Sequence, residues 1–263
     1  MRLVTWNVNS LKARLERVLA LLEDTAPDVC CLQETKLADS AFPGAAFQEL
    51  GYEGVHHGNG RWNGVAILSR VGLCDVRAGF LDDVPTSLAE CRIVAATCNE
   101  VRVLCVYVPN GRVVDSEFYA AKLEFLARLR NELVGTCDPD RPVALCGDFN
   151  VAPEDRDVFD VTRFVGATHV SAPERAALAE VMAWGLVDVV RALQPEGPGP
   201  FSWWDYRGGA FHKNEGMRID LALCSAPLAR RARAAFVDRE ARKKGGFESA
   251  PSDHAPVIVD FVD

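Results

Sequence analysis

Val143-Ala-Leu-Cys-Gly-Asp-Phe-Asn150 is the stretch on which the reading of this chain turns. Its four leading apolar residues leave no polar face, so a strand here has to be buried on both sides. After Gly147 the run changes to an acid and an amide two residues apart, Asp148 and Asn150, which share one face of an extended chain. A strand that is polar only at its tip places those polar groups at the edge of a buried sheet.

The same arrangement recurs. Apolar runs of strand length occupy Leu3 to Val8, Val29 to Gln33, Gly64 to Ser69, Val101 to Val108, Ile219 to Cys224 and Val257 to Phe261. Their ends read Trp6-Asn7-Val8-Asn9, Gln33-Glu34-Thr35-Lys36, Tyr107-Val-Pro-Asn-Gly111, Arg218-Ile219-Asp220 and Ser252-Asp253-His254. One or two polar caps would be ordinary. Six in order predict a common rim built from separate strand ends, where layered α/β proteins form their sites.

Between the strands, Leu11, Leu15, Val18 and Leu22 follow the spacing of one helix face, and Phe118, Phe125, Leu129 and Leu133 mark a second helix. Ser171-Ala-Pro-Glu174 is a capping box opening a third, with Gly185 to close it. Strands outnumber helices and several follow one another directly. The expected class is therefore α/β (α+β), a sandwich with sheets in the core and helices outside. The only linker-like segment, residues 195–200, is short and runs into the aromatic stretch Phe201-Ser-Trp-Trp-Asp-Tyr206, so residues 1–263 read as a single domain.

Hydrophobic residues make up 49% and charged residues 25%, the balance of an ordinary soluble protein. No apolar run approaches the ~18 residues of a membrane helix, and Met1 to Trp6 enters a strand without a secretory pattern, so a cytoplasmic protein with no membrane partner is expected. The nine cysteines are odd in number, lack any C-x-x-C and lie mostly in apolar runs, which predicts buried thiols rather than disulfides or zinc. A net charge of −8 disfavours a phosphate backbone as partner. Against it stands the run from Arg230 to Lys244, with seven cations beside Asp238 and Glu240; it is either a solvated helix and loop or a phosphate-facing rim.

The rim holds acids, amides, a tyrosine and one histidine, with no serine or cysteine nucleophile in a recognisable elbow. Hard oxygen donors select Mg²⁺ or Mn²⁺ over zinc. Carboxylate-bound Mg²⁺ with a histidine and a tyrosine nearby is apparatus for hydrolysing a phosphate ester. No P-loop motif is present, so nucleotide hydrolysis of that kind is not supported.

Taken in order over nearly the whole chain, W-N-V-N-S, Q-E-T-K, Y-V-P-N-G, G-D-F-N, F-S-W-W-D-Y-R, R-I-D and S-D-H-A-P resemble the exonuclease III family. These are the bacterial abasic-site endonucleases and 3′-exonucleases of the endonuclease/exonuclease/phosphatase superfamily. The resemblance implies a four-layer αββα sandwich with two mixed β-sheets. It also implies an AP endonuclease and exodeoxyribonuclease: Mg²⁺-dependent incision of duplex DNA 5′ to abasic sites, leaving a 3′-hydroxyl, and trimming of blocked 3′ ends by a monomer. Carried over motif by motif, Glu34 is the principal metal ligand, assisted by Asn7 and Asp253. Asp148 orients or deprotonates the attacking water, and Asn150 holds the water or the phosphorane. Tyr107 donates to the phosphate, His254 contacts a non-bridging oxygen, and Asp220 fixes the tautomer of His254. Some members of the family place a second metal near Asp148, Asn150 and His254.

For DNA contact, the resemblance points to Trp203, Met217 and Ile219 as an apolar slot for a flipped-out abasic sugar, with Arg112 and Arg207 against the DNA backbone or groove. The loop from Ala38 to Gly60 is thin in cations; Asn59, Arg61 and Trp62 are what that side of the rim offers. A related phosphoesterase acting on RNA or on inositol, lipid or other small phosphate esters is the competing enzyme reading. A non-catalytic DNA-binding relic would have lost at least one of Glu34, Asp148, Asn150, Asp220 or His254, and all are present.

Overall fold

The computed structural model describes residues 1–82 and 90–262. Its strands begin with β1 (Arg2–Asn7), β2 (Val29–Gln33), β3 (Glu53–His57), β4 (Val65–Ser69), β5 (Cys74–Ala78), β6 (Ile93–Cys98) and β7 (Val101–Tyr107). They continue as β8 (Val143–Asp148), β9 (Leu186–Asp188), β10 (Trp203–Trp204), β11 (Gly216–Met217), β12 (Asp220–Ser225), β13 (Ala232–Val237) and β14 (Val257–Phe261). The three longer helices are α1 (Leu11–Thr25), α2 (Glu117–Thr136) and α3 (Ala172–Met182). The capping box at Ser171 and Glu174 is formed, and α3 ends at Met182, three residues before Gly185.

Two six-stranded sheets result, in the orders β13-β14-β1-β2-β4-β3 and β5-β6-β7-β8-β12-β9. Each sheet has one parallel pair, β1 with β2 and β7 with β8, and its other neighbours are antiparallel. A parallel pair needs a long crossover, and α1 and α2 supply the two. The expected mixed sheets are present, and residues 195–200 are no free linker: Gly199 N donates to Arg156 O at 2.8 Å and Arg191 Nη2 to Gly199 O at 2.6 Å.

Alternation along the strands builds three cores. Leu3, Val29, Cys31, Val103, Cys105, Ala144, Cys146, Ala222 and Cys224 point into the layer between the sheets. Their neighbours Val4, Trp6, Cys30 and Leu32 meet α1 on one outer face, whereas Val143, Leu145, Leu221 and Leu223 meet α2 and α3 on the other. This is the αββα order. The inner layer is lined by small side chains, which accounts for the thiols: all nine are free, six are buried, and Cys146 Sγ lies 3.4 Å from Cys31 Sγ.

The inward rows emerge as polar residues at one end of the sandwich. Leu3 and Thr5 are followed by Asn7, Cys105 by Tyr107, Cys146 by Asp148, and Ala222 is preceded by Asp220 on β12. Register brings them level, since Asp148 is paired with Tyr107 on β7 and with Asp220 on β12. Arg218 anchors the start of β12 from behind: Nε and Nη2 fork onto Asp157 at 2.7 and 3.0 Å, and Nη1 reaches Asp188 at 2.6 Å.

Gly147 permits this alignment. Its φ is 150°, and a Cβ there would stand 1.9 Å from the carbonyl oxygen of Val106 on β7. The contacting atom is backbone, so it cannot turn aside. Gly147→Ala should lower stability by about 1–3 kcal/mol or more, as overpacking does. The measurement is the urea midpoint; a midpoint equal to wild type would show that β7 and β8 can separate without cost.

Candidate active site

The polar strand ends converge into one hydrogen-bonded cluster. Asn7 Nδ2 donates to Glu34 Oε1 and to Asp148 Oδ2, both at 2.9 Å, so one amide bridges two carboxylates. Asp148 Oδ1 accepts from the backbone N of Asn150 at 2.9 Å, and Oδ2 from Asn150 Nδ2 at 3.3 Å. His254 Nδ1 lies 2.9 Å from Asp220 Oδ2, while Nε2 is 3.8 Å from Asp148 Oδ2. The imidazole thus stands between two acids, and ligand atoms of Asp148, Asp220 and His254 lie within 4.8 Å of one another. Tyr107 is half-buried and hydrogen-bonds Glu34.

Burial and partners set the charges. Burial alone would drive the proton from His254, but Asp220, then Asp148 and Asp253, outweigh it and raise the imidazole to about 10. Asp148 is pushed up to about 7 chiefly by burial, with repulsion from Asp220 and Glu34 added and the attraction of His254 opposed. Glu34 is half-buried, which opposes its charge, yet Lys36, Asn7 and Tyr107 hold its carboxyl below the ordinary range. Burial, with Glu34 and Asp148 close by, raises the Tyr107 phenol well above its usual value, so it keeps its proton.

Strained backbone presents several of these groups. Glu34, Lys36 and Asn150 have left-handed φ of 52°, 53° and 51°. The loop after β2 is clamped to the start of α1 by Ser10 N to Glu34 O at 2.7 Å and Leu11 N to Thr35 O at 2.9 Å.

Asp253 is held beside the cluster by two side-chain donors. Its Oδ1 accepts from Asn9 Nδ2 at 3.0 Å and its Oδ2 from Trp203 Nε1 at 3.1 Å. It joins Glu34 only through Asn9 and Lys36, whose Nζ lies 2.6 Å from Asn9 Oδ1 and 3.0 Å from Glu34 Oε2. Asn7 likewise presents its N–H₂, and its Oδ1 accepts from Asn9 N at 2.9 Å. Of the residues expected to form an apolar slot, Met217 and Ile219 are each 2% exposed and pack with Ala152 and Val158, and Trp203 is half-buried beside them. Arg112 is exposed and stacks on Phe118 with Cζ 3.8 Å from the ring centroid, while its backbone N donates to Asn110 Oδ1 at 3.1 Å; Arg207 is exposed as well. On the opposite flank, Trp62 is 71% exposed.

Four participants were not assigned from sequence. Asn9 and Asn110 stand in the strand-end motifs but carried no role there. His169 Nε2 lies 3.2 Å from both Asn150 Oδ1 and Asn110 Nδ2. Burial, then Lys122, lowers its imidazole to about 4, so it is neutral. Lys122, with a side chain 0% exposed, donates to Asn150 O at 2.6 Å and to Thr168 Oγ1 at 3.1 Å and pairs with Glu174. Its signal was available: Lys122 falls on the stripe Phe118, Phe125, Leu129, Leu133, where a lysine has no apolar reason to be.

The endonuclease/exonuclease/phosphatase family model matches residues 4–254. The chain is 36% identical to exodeoxyribonuclease III of Haemophilus influenzae, over 99% of this chain and 100% of that one. An AP endonuclease from Archaeoglobus fulgidus superposes with a TM-score of 0.94 at 35% identity, covering 100% of both chains. The 3′ phosphatase NExo from Neisseria, bound to product DNA hairpin, superposes with a TM-score of 0.92 at 38% identity, again over 100% of both.

The charge assignment can be checked without turnover. In metal-free protein the His254 imidazole should stay protonated through neutral pH and release its proton near about 10. Because its folded value is raised above the ordinary 6.5, its stabilising contribution is complete below that pH and is lost as pH rises through about 10. Asp220→Asn should lower the titration, followed by NMR, by about 1–3 pH units. An unchanged titration would mean that Asp148 and Asp253 hold the proton without Asp220.

Proposed function

We propose, on the premise that this chain belongs to the endonuclease/exonuclease/phosphatase family, that it is a Mg²⁺-dependent DNA phosphodiesterase of the exodeoxyribonuclease III kind. It incises duplex DNA 5′ to abasic sites and removes blocking groups from 3′ ends. Both tasks are hydrolysis of a P–O3′ bond and leave a 3′-hydroxyl, so one centre serves both. The observation that carries this reading is the Asp148–His254–Asp220 stack beside Glu34, in a fold shared with an AP endonuclease and a DNA 3′ phosphatase. No helix of the described residues is long and apolar enough to cross a membrane; we take the protein to act as a cytoplasmic monomer.

The donors fit a hard divalent cation. Glu34 is ionised, and its Oε2 already faces a positive charge, the Lys36 ammonium. Buried oxygens of Gln33 and Asp220 have no hydrogen-bond partner. Glu34 would hold the ion, flanked by Asn7 and Asp253, and Mn²⁺ suits the same oxygens. A second ion at Asp148, Asn150 and His254 would have to displace the His254 proton, because an imidazolium has no lone pair to give. When bound, the cation offsets charge on the phosphate.

The remaining steps belong to the chain's own residues. Asp148, held at about 7, accepts the proton of the attacking water at a pH where it is neither too weak a base nor fully protonated. Asn150, fixed by Val108 O at 3.0 Å, keeps that water and the carboxylate in line. His254 and Tyr107 both carry protons and donate to the phosphate oxygens, the former with its orientation set by Asp220.

The test uses a duplex bearing one abasic-site analogue and a hairpin ending in a 3′-phosphate, each with Mg²⁺, with Mn²⁺ and with EDTA. Metal-dependent product is expected from both, their ratio ranking the two tasks. Asp148→Asn should reduce either rate by about 10²–10⁴-fold, as loss of a general base does. Folded, metal-loaded protein that cleaves neither DNA would turn attention to RNA and small phosphate esters.

A further inference from the structure

The run of cations from Arg230 to Lys244 divides in space. β13 and β14 are antiparallel, with Ala232 opposite Phe261 and Val237 opposite Val257. Val257 is the end of β14 next to His254, so Arg230, Arg231 and Arg233 lie at the far end of the sheet. Arg239, Arg242, Lys243 and Lys244 follow the near end. There, Arg242, Lys243 and Lys244 line a cleft of about 350 Å³ together with Tyr206, Phe211 and His212.

This cleft adjoins the catalytic rim. Trp203 bridges to His254, Trp204 N donates to Asp253 O at 3.0 Å, and Tyr206 Oη donates to Pro251 O at 2.8 Å. From Trp203 to Tyr206 the chain reaches at most ~10 Å, about three base pairs of duplex length at ~3.4 Å of helix axis each. A duplex placed with its scissile phosphate at His254 would pass it.

Arg242 is built to receive an anion. It is 7% exposed, with Cζ 5.3 Å from the Tyr206 ring and 5.0 Å from the Phe211 ring, and Nη2 donates to Trp204 O at 3.2 Å. Its buried Nε has no acceptor, and no described carboxylate pairs with the guanidinium. A buried guanidinium with no paired carboxylate leaves a charge for an anion in the cleft to answer. Around it, Lys244 and His212 are exposed and have no ion pair among the described residues, where Lys243 has only an exposed contact with Glu240. Arg17, buried beneath, holds the carbonyls of Lys243 and Lys244 at 3.0 and 2.7 Å, which fixes the loop that presents both amines. The one acid at the rim, Asp205, accepts from Arg207 N at 2.9 Å.

We infer that the Arg242–Lys244 cleft is a subsite for a backbone phosphate of the substrate DNA, flanking the bond that is cut. This rests on the proposed DNA reading and adds where a chain of net charge −8 gains its grip.

The experiment is fluorescence anisotropy in EDTA over about 50–200 mM salt. It uses a duplex long enough to cross the cleft and one trimmed to end at the cleavage centre. Proteins are wild type, Lys243→Ala with Lys244→Ala, Arg242→Gln checked by melting, and Arg233→Ala at the far end. On the long duplex the double variant should lose about 1–2 from the salt slope, ~0.9 for each phosphate contact removed, and Arg242→Gln about 1. On the trimmed duplex both should match wild type, and Arg233→Ala should match it on both. Wild-type slopes from the double variant on the long duplex, or an equal loss from Arg233→Ala, would overturn the subsite. Cleavage of the trimmed duplex at the wild-type rate would then leave the DNA reading standing; wild-type protein that binds neither duplex would overturn both.

Discussion

Two carboxylates, Asp148 and Asp220, are locked opposite each other on neighbouring strands, and the rest of the site follows from that conflict. Like charges directly across an antiparallel pair are unfavourable, and both side chains are buried. Moving either strand by one residue would turn the acid away but would also swap its small inner row with the larger outer one, and both faces are buried. The fold therefore keeps the register and answers the repulsion with His254, whose imidazole takes a proton that burial alone would remove. What would be a defect in a purely structural sheet leaves Asp148 a base near neutral pH and His254 a donor beside it.

The narrow inner layer sustains this arrangement. With alanine, valine and cysteine between the sheets, β1 and β2 approach β8 closely enough for the side chain of Asn7 to touch Asp148. Larger inner side chains would part the sheets and break the bridge from Glu34 through Asn7 to Asp148. Behind it, the ion pair of Lys122 with Glu174 grips the carbonyl of Asn150. A buried pair of this kind is weak evidence for added stability; its evident work here is to hold a left-handed residue in place.

Much of this was legible in the sequence, because a buried strand writes its period plainly and its polar tip stands out against it. The seven apolar runs are all strands, and the strand-end motifs do come together. Edge and peripheral strands were missed: Glu53-Gly-Val-His-His57, Cys74-Asp-Val-Arg-Ala78 and Ala232-Arg-Ala-Ala-Phe-Val237 mix polar and small residues because one face or edge meets solvent. His169 was illegible for another reason. It lies in a loop, and only the approach of β8 to residues 168–171 gives it Asn150 as a partner. Asp253 shows a third limit: adjacency to His254 indicates that both serve one end of the sandwich, but not which neighbours hold each side chain.

Net charge says little about where this molecule carries its free cations, because several of its arginines are committed to partners. Arg218 and Arg191 converge on Asp157, Arg2 pairs with Asp260, Arg92 with Glu90, and Arg17 binds backbone carbonyls. Each is taken up by an acid or a backbone acceptor, so none is left free to meet a ligand. With a net charge of −8, long-range attraction of a polyanion is weak. Affinity for DNA then has to come from a few cations held at fixed positions beside the centre. Such contacts act only when the strand is already aligned, which ties binding strength to correct placement of the bond to be cut rather than to a general attraction for nucleic acid.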